Sequence, residues 1–471
     1  MKLQRLLTAA VLLGVPLTSS VPAQTADPSE TIKTLSQRIE DLEQRIKILD
    51  RKRELDQEAV AERAKTTATV SAGASGFSIR SADTNFVLKV RGYVQADARF
   101  YPDDNSAGTA NDSFLLRRVR PIFEGTVFDK YDYRVMLDLG SGAAATAANN
   151  GFVQDAYVNA RFWPAFQIQA GKFKEPVGLE RLQSGANLLF VERGYPTQLL
   201  PNRDVGFQIQ GDLFHGALNY AMGAFNGVAD GGSGDFETAD DEKDVAWRLF
   251  SHPFKNSNST SLPGLGIGVS GTFGNQEGAL RTYASPGQQR FFAYRTSTVA
   301  GAPNVLADGD HWRLSPQGYY YWGPFGLFAE YAISAQNVRQ AGGGAGAGSS
   351  ANLVNSGWQV SASYILTGED NSFKALTPTR PFTIGGDGWG AWEVTARAGQ
   401  LDIDNDSFPV FANATTSATE ATSWGIGLNW HLNKNVKANL NYEQTNFKGG
   451  DANALTANGE KVVLTRIQFS F

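Results

Sequence analysis

The sequence predicts an all-β protein: a transmembrane antiparallel β-barrel of sixteen strands, with an N-terminal periplasmic coiled-coil helix. Its last nine residues, Val463 to Phe471, largely alternate apolar and polar side chains and end on an aromatic residue. Successive side chains of a strand point to opposite faces, so this segment has one apolar and one polar face. A membrane barrel is built from such strands, apolar towards lipid and polar towards the lumen.

Composition supports the same fold class. After the N-terminal leader, no stretch approaches the roughly 20 apolar residues that a membrane helix needs. The chain has 50 Gly, 29 Phe, 15 Tyr and 9 Trp, which suits one large sheet with aromatic girdles. Cysteine is absent, which fits an oxidising envelope compartment and excludes disulfides and thiolate metal sites. The net charge of -5 argues against a nucleic-acid partner.

The N-terminus is predicted to be a signal peptide, residues 1–23. Lys2 and Arg5 precede an apolar stretch over residues 6–15, and Val21-Pro22-Ala23 offers small side chains for cleavage after Ala23. This leader places the mature protein outside the cytoplasm.

Residues 29–65 are predicted to form a coiled-coil segment. Apolar residues recur at alternating spacings of three and four between charged and polar ones. They are Ile32, Leu35, Ile39, Leu42, Ile46 and Leu49. Ile and Leu at alternate seam positions favour two strands, although attached barrels would set the number instead. A lone amphipathic helix is the alternative. Residues 66–84, rich at first in Ala, Thr, Ser and Gly, are predicted to be a flexible linker.

Residues 85–471 are predicted to be the barrel. Segments of about ten residues with period-2 alternation are joined alternately by tight turns and by long polar loops, an asymmetry typical of outer-membrane barrels. Sixteen such segments follow one another, and a barrel of this width leaves an aqueous lumen. The connection at 367–388 is unusually long for the end that otherwise has tight turns.

The same alternation predicts which charges face the lumen. In the first strand Phe86, Leu88 and Val90 share the lipid face, so Arg91 and Arg99 lie on the other. Further inward cations are Arg118, Arg120, Arg134, Arg161 and Arg313. They are candidates for contacts with an anion, because arginine keeps its charge and offers several donors. Pairing with carboxylates on neighbouring strands is the alternative for each.

The segment Leu116-Arg117-Arg118-Val119-Arg120 breaks the alternation. A charge on the lipid face near the midplane costs roughly 2 to 4 kcal/mol. Either Arg117 lies at the outer interface, where the cost is small, or a β-bulge turns it inward beside Arg118.

A long loop begins at Gly171 and contains the apolar run Leu188-Leu189-Phe190-Val191, which a fully solvated loop would not need. We expect it to fold into the barrel and narrow the pore; a lid that contacts neighbouring subunits is the alternative. Its candidate constriction residues are Lys172, Lys174, Arg181, Ser184, Arg193 and Arg203.

At this loop the chain resembles the phosphate-selective porin O and P family. The supporting motifs include LRRVRPIFEGTVFDKYDYRVMLD from Leu116, DAYVNARFWPAFQIQAGKFKEPVGLE from Asp155 and RLSPQGYYYWGPFGLFAEY from Arg313. The resemblance implies homotrimeric sixteen-stranded barrels, an inward third loop and arginines that conduct anions to a narrow binding zone. Arg117 and Arg118 match the family's paired arginines. Of the serine pair and lysine that follow GLE in phosphate-binding members, only Ser184 is present, so phosphate selectivity is inherited in part.

These observations predict a porin in the outer membrane of a Gram-negative bacterium, passing small anions and foremost inorganic phosphate by passive diffusion. A less selective porin for polyphosphate, organic anions or general small solutes is the alternative, as is a structural tether with a plugged barrel. The expected partners are phosphate, outer-membrane lipid and lipopolysaccharide, and two further copies of the chain. The four histidines lack a nucleophile signature, so we expect no catalytic residues, no metal and no cofactor.

Overall fold

The computed structural model describes residues 27–102, 111–140, 152–235 and 241–471, and the predicted signal peptide lies outside them. The chain forms two units, Met1–Thr67 and Ala68–Phe471. In the first, helix α1 spans Pro28–Thr66, and the Asp27 carboxylate accepts a hydrogen bond from the Ser29 amide at 3.0 Å. Across the described ranges, no helix is both long and apolar enough to cross a membrane.

The predicted linker is wrong over residues 69–80, which form a β-hairpin. Strands β1 (Thr69–Gly73) and β2 (Gly76–Arg80) pair with each other, and β2 also pairs with the first barrel strand through Phe77 and Val90. Gly76 has a φ of +91°, which only glycine adopts readily, so it allows the tight turn. The small residues of this segment therefore serve a hairpin turn rather than a flexible connection.

The second unit is a closed barrel of sixteen antiparallel strands, which confirms the predicted fold class. Each strand pairs with the next, and the last pairs with the first. The barrel strands are β3 (Phe86–Phe100), β4 (Ser113–Val127), β5 (Tyr131–Leu137), β6 (Val153–Trp163), β7 (Phe166–Lys174), β8 (Arg203–Leu213), β9 (Leu218–Phe225), β10 (Asp244–Ser251), β11 (Leu265–Ala279), β14 (Asn304–Trp322), β15 (Phe325–Ala341), β16 (Ser350–Ile365), β17 (Ala391–Asp402), β18 (Glu420–His431), β19 (Val436–Lys448) and β20 (Glu460–Ser470). Within the connection from β11 to β14, β12 (Tyr283–Ala284) and β13 (Arg290–Phe292) form a separate two-stranded sheet.

The two ends of the barrel differ. Most connections at one end are short turns, such as the one between Trp322 and Phe325, and those at the other are long loops. We call these the short-turn end and the long-loop end. At the long-loop end, loops pack a buried aromatic cluster that includes Tyr195, Phe291 and Phe411, with the rings of Tyr195 and Phe291 6.4 Å apart. The apolar core therefore lies inside the barrel, among its loops.

The junction that closes the barrel contains a buried ion pair. Arg466 on β20 donates two hydrogen bonds to the Asp97 carboxylate on β3, both at 2.7 Å, and both side chains are at most 2% exposed. A parallel pair of bonds between a guanidinium and a carboxylate is among the strongest polar contacts in proteins. It joins the first and last strands of the barrel.

We expect Asp97→Asn to destabilise the barrel by about 3 to 5 kcal/mol, because it leaves the Arg466 charge buried without its main partner. The temperature at which the folded band is lost on semi-native SDS gels measures this. The matched control is Asp308→Asn, whose ion pair with Arg339 at 2.6 Å is largely exposed and should contribute about 0 to 1 kcal/mol. Equal losses in the two variants would contradict the prediction.

Candidate functional site

The loop from β7 to β8, residues 175–202, lies inside the barrel and is here called the inner loop. It contains two short helices, α2 (Leu179–Leu182) and α3 (Pro196–Leu199). Most of its large apolar side chains are almost fully buried, Val191 and Leu200 completely. The amide of Leu179 donates to the Glu330 carboxylate on β15 at 2.6 Å. Hydrophobic burial and wall contacts together hold this loop in the lumen.

The far side of the inner loop is anchored to β17 and β19. The Val191 amide donates to the Asn441 side chain at 2.8 Å, and Lys437 Nζ donates to the Leu188 carbonyl at 2.8 Å. Arg397 donates to the Glu192 carbonyl at 2.9 Å. The loop therefore crosses the lumen, and any solute must pass beside it.

Arg117 is turned inward by a β-bulge. On the β3–β4 ladder Gln95 pairs with Arg118 and Ala96 pairs with Leu116, so Arg117 is the extra residue. Its guanidinium contacts the inner loop at Glu192, with Nε 2.6 Å from the carboxylate. Of the two alternatives that the sequence left open, the bulge is present. Arg117 and Arg118 consequently face the lumen together.

Glu192 is the centre of an arginine cluster. Its carboxylate lies 2.6 Å from Arg117, 3.4 Å from Arg99, 3.8 Å from Arg466 and 3.9 Å from Arg118. We call these four arginines the upper cluster. Burial alone would raise the pKa of Glu192, but these arginines and the hydrogen bond from Arg117 hold it well below its ordinary value. Glu192 is therefore charged at neutral pH and binds the inner loop to the wall.

Five further cations surround the inner loop and are called the inner cluster. They are Arg120, Lys174, Arg181, Arg193 and Arg203. Burial lowers the pKa of Arg193 to about 10; Glu180 opposes this effect, and Arg120 adds to it. Burial, with repulsion from Arg193, lowers the pKa of Arg181 to about 9. Both stay protonated at neutral pH, so these two members keep their positive charge.

Two members of the inner cluster are in ion pairs. Arg120 Nε lies 2.7 Å from Asp138, and its Nη1 donates to the Tyr93 hydroxyl at 2.9 Å. Arg203 Nε lies 2.7 Å from Asp155, a carboxylate that it shares with Arg134 at 3.1 Å. These charges are largely neutralised by the wall.

The other three members contact carbonyl oxygens. Lys174 donates to the Gln183 carbonyl at 2.9 Å, Arg193 donates to the same oxygen at 2.8 Å, and Arg181 donates to the Leu200 carbonyl at 3.4 Å. None of the three has a carboxylate within 4 Å in the part of the chain that the structure describes. These three cations beside the inner loop therefore have no described carboxylate in direct contact, although Glu180 acts on Arg181 and Arg193 from a greater distance.

Below the inner loop, towards the short-turn end, lies a cavity of about 440 Å³. Ser184 is exposed and lines it together with Arg91, Arg134 and Lys437. Its hydroxyl accepts a hydrogen bond from the Ala186 amide at 3.3 Å. Arg91 and Arg134 share Glu124 at 2.7 and 2.9 Å, and Arg134 also contacts Asp155 at 3.1 Å, so both cations in this part of the wall are in ion pairs.

Three predicted site residues lie elsewhere. Arg161, at the short-turn end of β6, is exposed and lies 2.6 Å from Asp132. Lys172 is buried in an ion pair with Asp235. Arg313 is fully buried and bound to Asp230 at 2.8 Å. The expected place of Lys172 and Arg313 on the pore surface is wrong, because the loop after β9 supplies both aspartates and covers them.

The long connection at 366–390 supplies residues that the sequence did not indicate. It folds back into the lumen: Asn371 donates to Ser363 at 2.7 Å, and the ring of Phe373 stacks on Tyr319 at 5.3 Å. The Phe373 carbonyl accepts from Gln183 of the inner loop at 3.1 Å. Lys374 thereby joins the cavity lining, a place that only the folded connection determines.

Tyr93 also faces the lumen but is not among the predicted site residues, although the sequence indicates its position. It lies on the inward face of β3, between Arg91 and Gln95, and period-2 alternation alone assigns it there. The described residues contain no group of three His, Asp or Glu side chains arranged to hold a metal ion.

A family model described as phosphate-selective porin O and P matches residues 88–471. The chain belongs to this family. Porin O of Pseudomonas aeruginosa is 24% identical over 434 residues, which are 84% of this chain and 91% of that protein. This porin therefore belongs to the outer membrane, and it is a channel protein.

A solved structure shares its fold. The outer-membrane channel DcaP of Acinetobacter baumannii aligns with a TM-score of 0.52 and 12% identity, covering 84% of this porin and all of that chain. An anion-selective porin from Comamonas acidovorans aligns with a TM-score of 0.48 and 13% identity, covering 82% of this porin and all of that chain.

Proposed function

We propose that this porin passes small anions, foremost inorganic phosphate, by passive diffusion along the inner loop. The observation that carries the proposal is that Lys174, Arg181 and Arg193 donate to carbonyl oxygens and have no described carboxylate within 4 Å. A confined site lined by fixed cations concentrates anions and repels cations, because its charges are weakly screened there. The description of the family to which the chain belongs, phosphate-selective porin O and P, supports phosphate as the anion.

The cations form a sequence along the lumen. From the long-loop end, an anion would meet the upper cluster at Arg99 and Arg117, then the inner cluster, then Arg134 and Arg91 near the cavity, and last Arg161. Each guanidinium presents several donors in one plane, which suits stepwise transfer of an oxyanion. The site residues proposed from the sequence act in this order, except Lys172 and Arg313, whose aspartate partners lie on the loop after β9.

Release requires weak binding, and the existing contacts provide it. Arg193 and Lys174 already donate to carbonyl oxygens, so an anion competes with those bonds for the same donors. The net gain of each new bond is therefore modest, and the ion passes on.

Assembly and placement belong to the same proposal. The porin would form homotrimers, contact outer-membrane lipid and lipopolysaccharide through its apolar outer wall, and carry helix α1 in the periplasm. In membrane barrels short turns are periplasmic and long loops are extracellular. Outward residues such as Phe114, Ile426 and Ile467 are more than half exposed in the single chain, as lipid contacts require.

The test is the zero-current potential of the purified porin in a planar bilayer under a potassium chloride gradient, followed by titration with phosphate. We expect an anion-selective potential and a chloride current that phosphate blocks. A cation-selective or unselective pore that ignores phosphate would overturn the proposal in favour of a less selective porin. A barrel that carries no current would favour a structural tether.

Arg193→Ala should weaken the phosphate block about tenfold or more, since a hydrogen bond to a charged group contributes roughly 1.5 to 3 kcal/mol. The concentration of phosphate that halves the chloride current measures this. The matched control is Arg339→Ala, which removes the same charge from an exposed ion pair near the long-loop end. An unchanged block in Arg193→Ala would exclude that residue from the binding zone.

A further inference from the structure

Helix α1 presents an apolar stripe that no described part of its own chain covers. Ile39, Leu42 and Ile46 are 54 to 56% exposed, and Ile32, Leu35 and Leu49 are similarly open. The spacing gives a heptad register with isoleucine at every a position and leucine at every d position over three heptads. Such a stripe is stable in water only when another helix packs on it.

The residues that flank the stripe carry opposite charges on its two sides. The g positions are Arg38, Arg45 and Lys52, all basic. The following e positions are Glu43, Asp50 and Gln57, of which two are acidic and none is basic. In the single helix Arg45 contacts Asp41 at 3.1 Å, an exposed pair of the kind that contributes little.

This charge arrangement favours parallel over antiparallel packing of two α1 helices. In a parallel, in-register coiled coil, a g residue faces the e residue of the next heptad on the neighbouring helix. Arg38 would then face Glu43 of another copy, and Arg45 would face Asp50. In an antiparallel pair, g residues face g residues, which would place arginine against arginine.

We propose that α1 binds further copies of itself as a parallel, in-register coiled coil, with orientation set by the basic g and acidic e positions. The occupant of the stripe is thus the same helix of another protomer. The inference rests on the proposed homotrimer only for the number of copies. Ile at a and Leu at d by themselves favour two strands, so attachment to the barrels would impose the third.

The absence of cysteine from the chain allows a clean test. In the full-length porin, Leu35→Cys and Leu49→Cys are oxidised separately. Both lie near the ends of the stripe, so each can form a disulfide with itself only when the helices are parallel and in register. The controls are Gln37→Cys and Arg51→Cys, at outward f positions nearby.

We expect several-fold more covalent dimer from Leu35→Cys and Leu49→Cys than from their controls. Equal yields would overturn the proposal. So would cross-links that form only when Leu35→Cys and Leu49→Cys chains are mixed, since that result indicates antiparallel helices.

Charge exchange tests what sets the orientation. Arg45→Glu should reduce self-cross-linking in the Leu49→Cys background several-fold, and adding Asp50→Arg should restore it. Lys47→Glu makes the same charge change at an outward b position and should have no effect. If the double exchange does not restore cross-linking, the charge pattern does not set the helix orientation. The zero-current potential of these variants should match that of the unchanged porin. A failure of the coiled-coil proposal is therefore distinguishable from a failure of the proposed anion passage.

Discussion

Replacing Glu192 by glutamine is expected to release part of the inner loop and raise the single-channel conductance. Glu192 is 3% exposed and faces four arginines, of which Arg117 at 2.6 Å is the nearest. Removing one partner of a buried charge pair costs about 3 to 5 kcal/mol, because the remaining charges lose their compensation. The loop keeps its anchors at Glu330 and Asn441, so the loss should be local and the barrel should stay closed.

Single-channel recording and amide hydrogen exchange over residues 183–193 measure this effect. We expect larger and noisier currents and faster exchange in Glu192→Gln. The matched control is Glu420→Gln, which removes a carboxylate paired with the exposed Lys448 at the long-loop end. Unchanged conductance and protection in Glu192→Gln would show that burial of apolar side chains alone fixes the loop.

The same contact predicts an acid dependence. A carboxyl whose folded pKa is depressed stabilises the structure above its unfolded pKa, about 4.3, and loses this contribution as the pH falls through the folded value. The pKa of Glu192 is held low by its arginines. Loop protection should therefore persist at pH 5 and decline only in stronger acid, and Glu192→Gln should lack this acid step.

Reversing two charges of the inner cluster is expected to reverse the selectivity of the pore. Lys174→Glu with Arg193→Glu removes two cations that have no described carboxylate within 4 Å and adds two acids in their place. Because fixed charges at a constriction decide which ions concentrate there, the zero-current potential should change sign. Phosphate should no longer block the current.

The control for this variant carries the same change in net charge at distant sites. Lys448→Glu with Arg339→Glu alters two exposed cations near the long-loop end of the barrel. Screening by salt should leave the sign of its potential unchanged. A double Lys174 and Arg193 variant that stays anion-selective would place the selectivity in the upper cluster instead.

The sequence by itself determined the barrel. Period-2 alternation is a local property of a strand, so it predicted the number of strands and the faces of Arg91, Arg118 and Arg120. It also determined the heptad stripe of α1. The inward position of the inner loop was predictable because exposing apolar side chains such as Leu188 and Phe190 to water is unfavourable.

Only the tertiary structure decided which charges are available to an anion. Arg117 and Arg313 are both arginines in barrel strands, yet one reaches the lumen through a bulge and the other is enclosed by Asp230. The partner of each comes from a loop distant in sequence, and strand periodicity contains no information about loop placement. The ion pairs and the burial of the charged side chains, and the position of Lys374, follow from long-range contacts. The alternation therefore predicted the barrel wall correctly but the candidate anion site only in part.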